Sequence, residues 1–147
     1  MSDERNRVPL EPSYAQALGA AVYCFGSCEW NVVWCCEGLQ RGALNKISRD
    51  KLTAGQIASM FTERVRNMPP SRSKLALREL AADFLDLVEL RNSIVHGTPC
   101  TSPHGDQRIG HKGQIFEPTD LADAADAFTR CSMKANEFVH GELKVHR

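Results

Sequence analysis

The segment ELRNSIVHGTP, Glu89 to Pro99, places an arginine, an asparagine and a histidine where an otherwise apolar stretch ends. These side chains suit one kind of chemistry. Cleaving RNA without a metal requires a base for the ribose 2′-hydroxyl proton, a fixed cation for charge building on the phosphate, and protonation of the leaving oxygen. Histidine titrates near neutral pH and moves protons. Arginine stays charged, and its planar fork matches phosphate oxygens. Arg91 and His96 are therefore the candidate catalytic residues, with Asn92 in support as an amide that orients either neighbour. The same residues also have a structural reading. Arg91 would pair with a buried carboxylate, for which Glu29 inside the apolar first helix is the candidate. His96 would cap a helix, whose negative end favours imidazolium.

The element that must position this trio is a helix. Ser71 or Ser73 caps it, and it runs to about His96, with Gly97 as the residue that leaves it. With Leu77 as origin, Ala81, Phe84, Val88 and Val95 fall within about 40° of it. Arg91 lies inside the same arc, so a guanidinium projects from the apolar stripe and must find a partner there. His96 points elsewhere, because five residues turn about 500° and leave the two side chains about 140° apart. They converge only if the helix end unwinds, or if each faces a site completed by another copy of the chain. A two-fold dimer would also bring two histidines to one site, one for each proton transfer.

The other elements follow from spacing and punctuation. A first helix starts after Pro12 and Ser13 and runs to about Gln40, where Arg41 and Gly42 break it. It is apolar on nearly every side, through Leu18, Val22, Phe25, Trp30, Val33, Trp34 and Leu39. Such a helix is buried on several faces, by the fold or by a second subunit. Trp30 and Trp34, four residues apart, suit packing or a subunit contact better than base stacking. The next helix opens with TAGQ, in which Thr53 and Gln56 have capping-box spacing. Ile57, Met60, Phe61 and Val65 form its stripe, and Pro69 and Pro70 end it. After Gly97, the pieces QRI and QIF, joined by GHKG, read as a short hairpin. A last helix runs from near Thr119 to His140 and Gly141. The fold class expected is all-α, a compact bundle of four to five helices with an irregular loop or short hairpin before the last. Residues 1–12 are expected as a flexible N-terminus, 13–141 as a single domain and 142–147 as a tail.

Composition narrows the function classes. A chain of 147 residues with 42% hydrophobic and 24% charged residues is an ordinary soluble single domain. The N-terminus lacks a secretory pattern. The most apolar window, Leu18 to Cys36, contains Ser27, Glu29 and Asn31, which a membrane span would carry at considerable cost. A cytoplasmic protein without membrane contact is expected. No C-x-x-C pair exists, and Cys24, Cys28 and Cys35 share one helical face that reads as core. Neither a metal nor a cofactor is expected, since phosphate-cradling glycine loops, serine nucleophile motifs and two-histidine metal motifs are absent. The loop histidines His104 and His111 have the chemistry to ligate a metal or line an RNA path, although exposed loop histidines usually do neither. Net charge is zero, yet Arg41 to Arg78 holds nine basic residues against two acidic ones. Such a block attracts phosphates or forms a solvated face. Arg64, Arg66, Arg72 and Lys74 are its candidate RNA contacts.

The motif RNSIVH resembles the signature of the HEPN superfamily: arginine, a polar residue, then histidine after four to six intervening positions. The order of elements is similar too, with a long first helix carrying an internal glutamate and a third helix ending in the motif. The resemblance spans roughly residues 14–140 and implies a helical bundle that dimerises into a metal-independent ribonuclease. It implies Arg91 and His96 as the catalytic pair, with roles in phage defence, toxin–antitoxin systems or RNA processing, and a cognate antitoxin or regulator as partner. Other members bind RNA or proteins without catalysis. Some toxins carry a tyrosine two residues after the histidine, modified by a cognate nucleotidyltransferase; Thr98 stands there in this chain.

Overall fold

The computed structural model describes residues 8–144. Five helices and a small antiparallel sheet follow in the order α1 (Pro12–Leu39), α2 (Ala43–Asp50), α3 (Ala54–Arg66), α4 (Arg72–Val95), β1 (Thr98–Thr101), β2 (Gln107–His111), β3 (Gln114–Phe116) and α5 (Pro118–His140). The molecule is thus mostly helical but not purely all-α. Of the expected N-terminal and C-terminal segments, residues 1–7 and 145–147 lie outside the described residues.

The long helices α1 and α5 form the spine. They run in the same direction, because Tyr14 meets Phe116, Asn31 meets Ser132 and Cys35 meets Ala135. The polar residues that interrupt the apolar window of α1 serve this seam. Asn31 donates to the Ser132 hydroxyl at 2.8 Å, and the Ser27 and Ser132 hydroxyls lie 3.3 Å apart. Cys28, Cys35 and Cys131 are buried there as free thiols. Burial pushes the Cys35 and Cys36 thiols up to about 12, so both pack as small apolar groups. The hydrogen bond with Cys131, together with burial, raises the Cys28 thiol as well.

The capping box of α3 is present in both halves, with Thr53 and Gln56 exchanging hydrogen bonds. Ser71, rather than Ser73, caps α4 by accepting from the Lys74 N–H at 3.1 Å. Helix α2, absent from the sequence expectation, is nucleated from outside itself. The Glu37 carboxylate, projecting from α1, accepts the Gly42 N–H at 2.8 Å and the Leu44 N–H at 3.3 Å. It thereby supplies the N-terminal partners that ALNKISRD lacks.

The expected hairpin forms from β2 and β3, with His111 paired to Gln114 across a two-residue turn. Lys112 and Gly113 both have positive φ, at 49° and 81°, which matches the twist of a tight hairpin. A third strand, β1, adds to the edge of β2. Pro99 obscures it in the sequence, but an edge strand tolerates proline because only one side needs its N–H groups. Beyond α5, Leu143 is buried, and its N–H donates to the Phe138 carbonyl at 2.9 Å. A methyl group at Gly38 would stand 2.5 Å from the Leu143 carbonyl oxygen, so the two segments touch backbone to backbone.

Candidate active site at the exit of helix α4

Helix α4 buries Leu77, Leu80, Ala81, Phe84 and Val88, and Arg91 extends this face toward α1. The Arg91 guanidinium lies 4.7 Å from the centroid of the Phe25 ring. Its Nη2 stands 3.8 Å from Glu29 Oε2, the partner expected from the sequence, with the two side chains 24% and 31% exposed. At that separation the contact is ionic, too long for a hydrogen bond. Among the described residues the guanidinium makes no hydrogen bond, so its donors are held in place by the ring while remaining free. Burial raises the Glu29 carboxyl above its usual value, and the Arg91 charge offsets part of that rise. Phe25 is the contributor that sequence reasoning overlooked. The available signal was its spacing, four residues before Glu29, which puts ring and carboxylate on one face of α1.

One position of the expected stripe is corrected. Val95 is 41% exposed, whereas Ile94 is 2% exposed and takes the core position. The helix ends at Val95 and the chain turns into β1, which leaves Val95 on the rim. Gly97 serves a different purpose from a left-handed cap, as it has no positive φ. Its lack of a side chain admits the Ile109 methyl, and any Cβ there would collide with it.

His96 terminates α4 with φ −99° and ψ 6°, its N–H bonded to the Asn92 carbonyl at 2.9 Å. Its ring is exposed and without hydrogen-bond or ionic partners among the described residues. The half-buried Asn92 amide likewise makes no side-chain hydrogen bond there. The exit brings Arg91, Asn92 and His96 to one end of the molecule, but among the described residues no side-chain hydrogen bond joins them. Thr98 pairs with Gly110, and the register continued one step sets Gly97 opposite His111. The half-buried His111 therefore lies beside the exit, whereas His104 is exposed in the far turn.

The basic block does not join this site. Arg72 and Arg91 are separated by 19 residues of α4, about 28 Å along the axis. Arg64 caps α1 instead, donating to the Gln40 carbonyl at 2.9 Å. Lys74 caps α3, donating to the carbonyls of Arg66 at 2.9 Å and Met68 at 2.7 Å. Arg66 and Arg72 remain exposed. Among the described residues no three His, Cys, Asp or Glu side chains gather as metal ligands would, and no helix is long and apolar enough to cross a membrane.

No protein-family model, no curated protein and no solved structure matches this chain.

Proposed function

We propose that the chain is a HEPN-like, metal-independent endoribonuclease that works in the cytoplasm, with its site completed by a second copy. The observation that carries this reading is the state of Arg91. It is ring-stacked, charge-balanced only at 3.8 Å, and keeps its donors unsaturated next to a helix exit that ends in an exposed histidine. A guanidinium so placed binds a phosphate diester without first breaking a hydrogen bond.

In the reaction, one His96 takes the proton from the ribose 2′-hydroxyl as that oxygen attacks the adjacent phosphorus. Arg91 holds the nonbridging oxygens, where negative charge builds. The bond from phosphorus to the 5′-oxygen breaks, and His96 of the second copy gives that oxygen a proton. The products are a 2′,3′-cyclic phosphate and a free 5′-hydroxyl, so atoms and protons balance. A surface suited to the second copy lies close by. Val22 and Trp30 of α1 flank the turn that carries Phe25 and Glu29, and both are exposed, as is Val95 one turn beyond Arg91. Trp34 meets Trp30 edge to face with ring centroids 6.0 Å apart, which stiffens that ridge.

The experiment is cleavage of single-stranded RNA in excess chelator, with end-group analysis. Cyclic phosphate ends from the wild type and none from His96→Ala support the reading; equal cleavage by both overturns it. The Glu29 contact favours a second reading, a non-catalytic HEPN-like module in which Arg91 is structural and RNA or a protein is bound without cleavage. That reading expects salt-sensitive binding of RNA or an acidic partner without cleavage. It also expects Arg91→Ala to lower Tm more than His96→Ala. A role in phage defence, toxin–antitoxin pairs or RNA processing, with an antitoxin or regulator as partner, belongs to the same proposal.

A further inference from the structure

The basic block is continuous in sequence but splits in space, and one part of it encloses a groove. Between the last turns of α3 and the first half of α4 lies a depression of about 440 Å³, within the roughly 300–1,000 Å³ typical of ligand pockets. Its floor is aliphatic, with Val65, Ala82 and Leu85, and its rim carries Arg66, Lys74 and Arg78. Among the described residues no carboxylate lines it. Two acids of α4 lie on another side, where Asp83 and Asp86 face Arg130 and Lys134 against α5.

The three cations are not equivalent. Lys74 is spent on the carbonyls that end α3, which cancels the partial negative charge that would repel an anion there. Arg66 and Arg78 are exposed and have no ionic or hydrogen-bond partner among the described residues. Leu85, 44% exposed, leaves the apolar floor uncovered between them.

We propose that this groove docks an acidic peptide segment of a partner protein. One or two large apolar side chains of the segment sit on Val65, Ala82 and Leu85, and flanking carboxylates meet Arg66 and Arg78. Charge complementarity selects an anionic partner, and the floor selects a peptide over RNA. Single-stranded RNA needs aromatic platforms for its bases and a track of cations for its phosphates. This groove offers aliphatic side chains and two free guanidinium groups. The site lies toward the opposite end of α4 from Arg91, so it does not depend on the nuclease reading.

The test uses a fluorescein-labelled helical peptide of about twelve residues, about 18 Å long, with glutamates on one face and leucines four residues apart on the other. Binding to the full chain is followed by anisotropy, with circular dichroism confirming the fold of each variant. Saturable binding is expected, weakened at least about tenfold by Arg66→Glu with Arg78→Glu and also weakened by Leu85→Ser, with a lysine-for-glutamate peptide preferring the charge-reversed protein. If the reversal disturbs folding, Arg66→Gln with Arg78→Gln replaces it and is expected to weaken binding in the same direction. A wild-type Kd above about 1 mM overturns the proposal. So does loss on charge reversal with indifference to Leu85→Ser. An oligouridylate that binds more tightly than the peptide, through the same arginines, assigns the groove to RNA and overturns it as well.

Discussion

Among the described residues two arginines stack on aromatic rings, and they differ in how their donors are engaged. Arg108 lies 4.9 Å from the centroid of Tyr14, donates through Nε to Glu117 at 3.1 Å and through Nη1 to the Gln107 carbonyl at 3.0 Å, and stands 3.5 Å from Asp106. Arg91 lies 4.7 Å from Phe25 and has one carboxylate oxygen at 3.8 Å. The ring itself also differs. The Tyr14 hydroxyl donates to the Phe116 carbonyl at 2.8 Å and accepts the Ile109 N–H at 3.0 Å, tying α1 to the sheet; Phe25 has no such group. A saturated guanidinium is a fastening, because any ligand would have to displace its partners. An unsaturated one, held by a ring, has donors that can meet an anion without first giving up a hydrogen bond.

The contrast can be broken in several places. His96→Ala is expected to reduce RNA cleavage at least about 100-fold while leaving Tm within error, since general acid–base groups contribute about that much or more; cleavage rate and thermal melting together check this. Tyr14→Phe is expected to cost about 2 kcal/mol in chemical denaturation, because it strands the half-buried Ile109 N–H and the buried Phe116 carbonyl. Retained stability there would remove the fastening role. Arg91→Lys keeps the charge but loses the planar fork, and is expected to lower kcat/KM about tenfold or more with little change in folding. Gly97→Ala should destabilise by about 1 to 3 kcal/mol through overpacking against Ile109, and Ile109→Ala in the same chain should recover part of that.

The smallest effect concerns Glu29. Its folded-state carboxyl titrates above the usual 4.5, so its stabilising contribution is complete below that value and is lost as pH rises through the folded value. Glu29→Gln is therefore expected to gain Tm relative to the wild type as pH rises from about 4 to 7. A gap that instead widens against the variant would mean that the ion pair outweighs burial, making Arg91 more like Arg108.

Much of the fold was legible because it is written in local spacing. The caps Thr53 and Ser71, the stripe from Leu77 to Arg91 and the tight turn at Lys112 and Gly113 each depend on residues within a few positions of one another. Helix α2 was not legible, since the carboxylate that starts it comes from Glu37 on a different helix. Strand β1 was hidden by Pro99, which an edge position tolerates. In the site, Arg91 and its carboxylate were legible, because a charge on an apolar face must be answered. Val95 was misplaced because helical periodicity assumes that the same neighbours continue past the last turn, where here the sheet begins.

By itself the sequence determined that Arg91 faces inward, that His96 stands at a helix exit and that a basic block lies between Arg41 and Arg78. Only the tertiary structure decided that Arg91 makes no hydrogen bond among the described residues, that Arg64 and Lys74 are absorbed by helix ends, and that Arg66 and Arg78 border an apolar groove. The physical reason is that periodicity fixes the direction in which a side chain leaves its helix. Whether its hydrogen bonds are satisfied depends on which carbonyls and carboxylates distant parts of the chain bring to it.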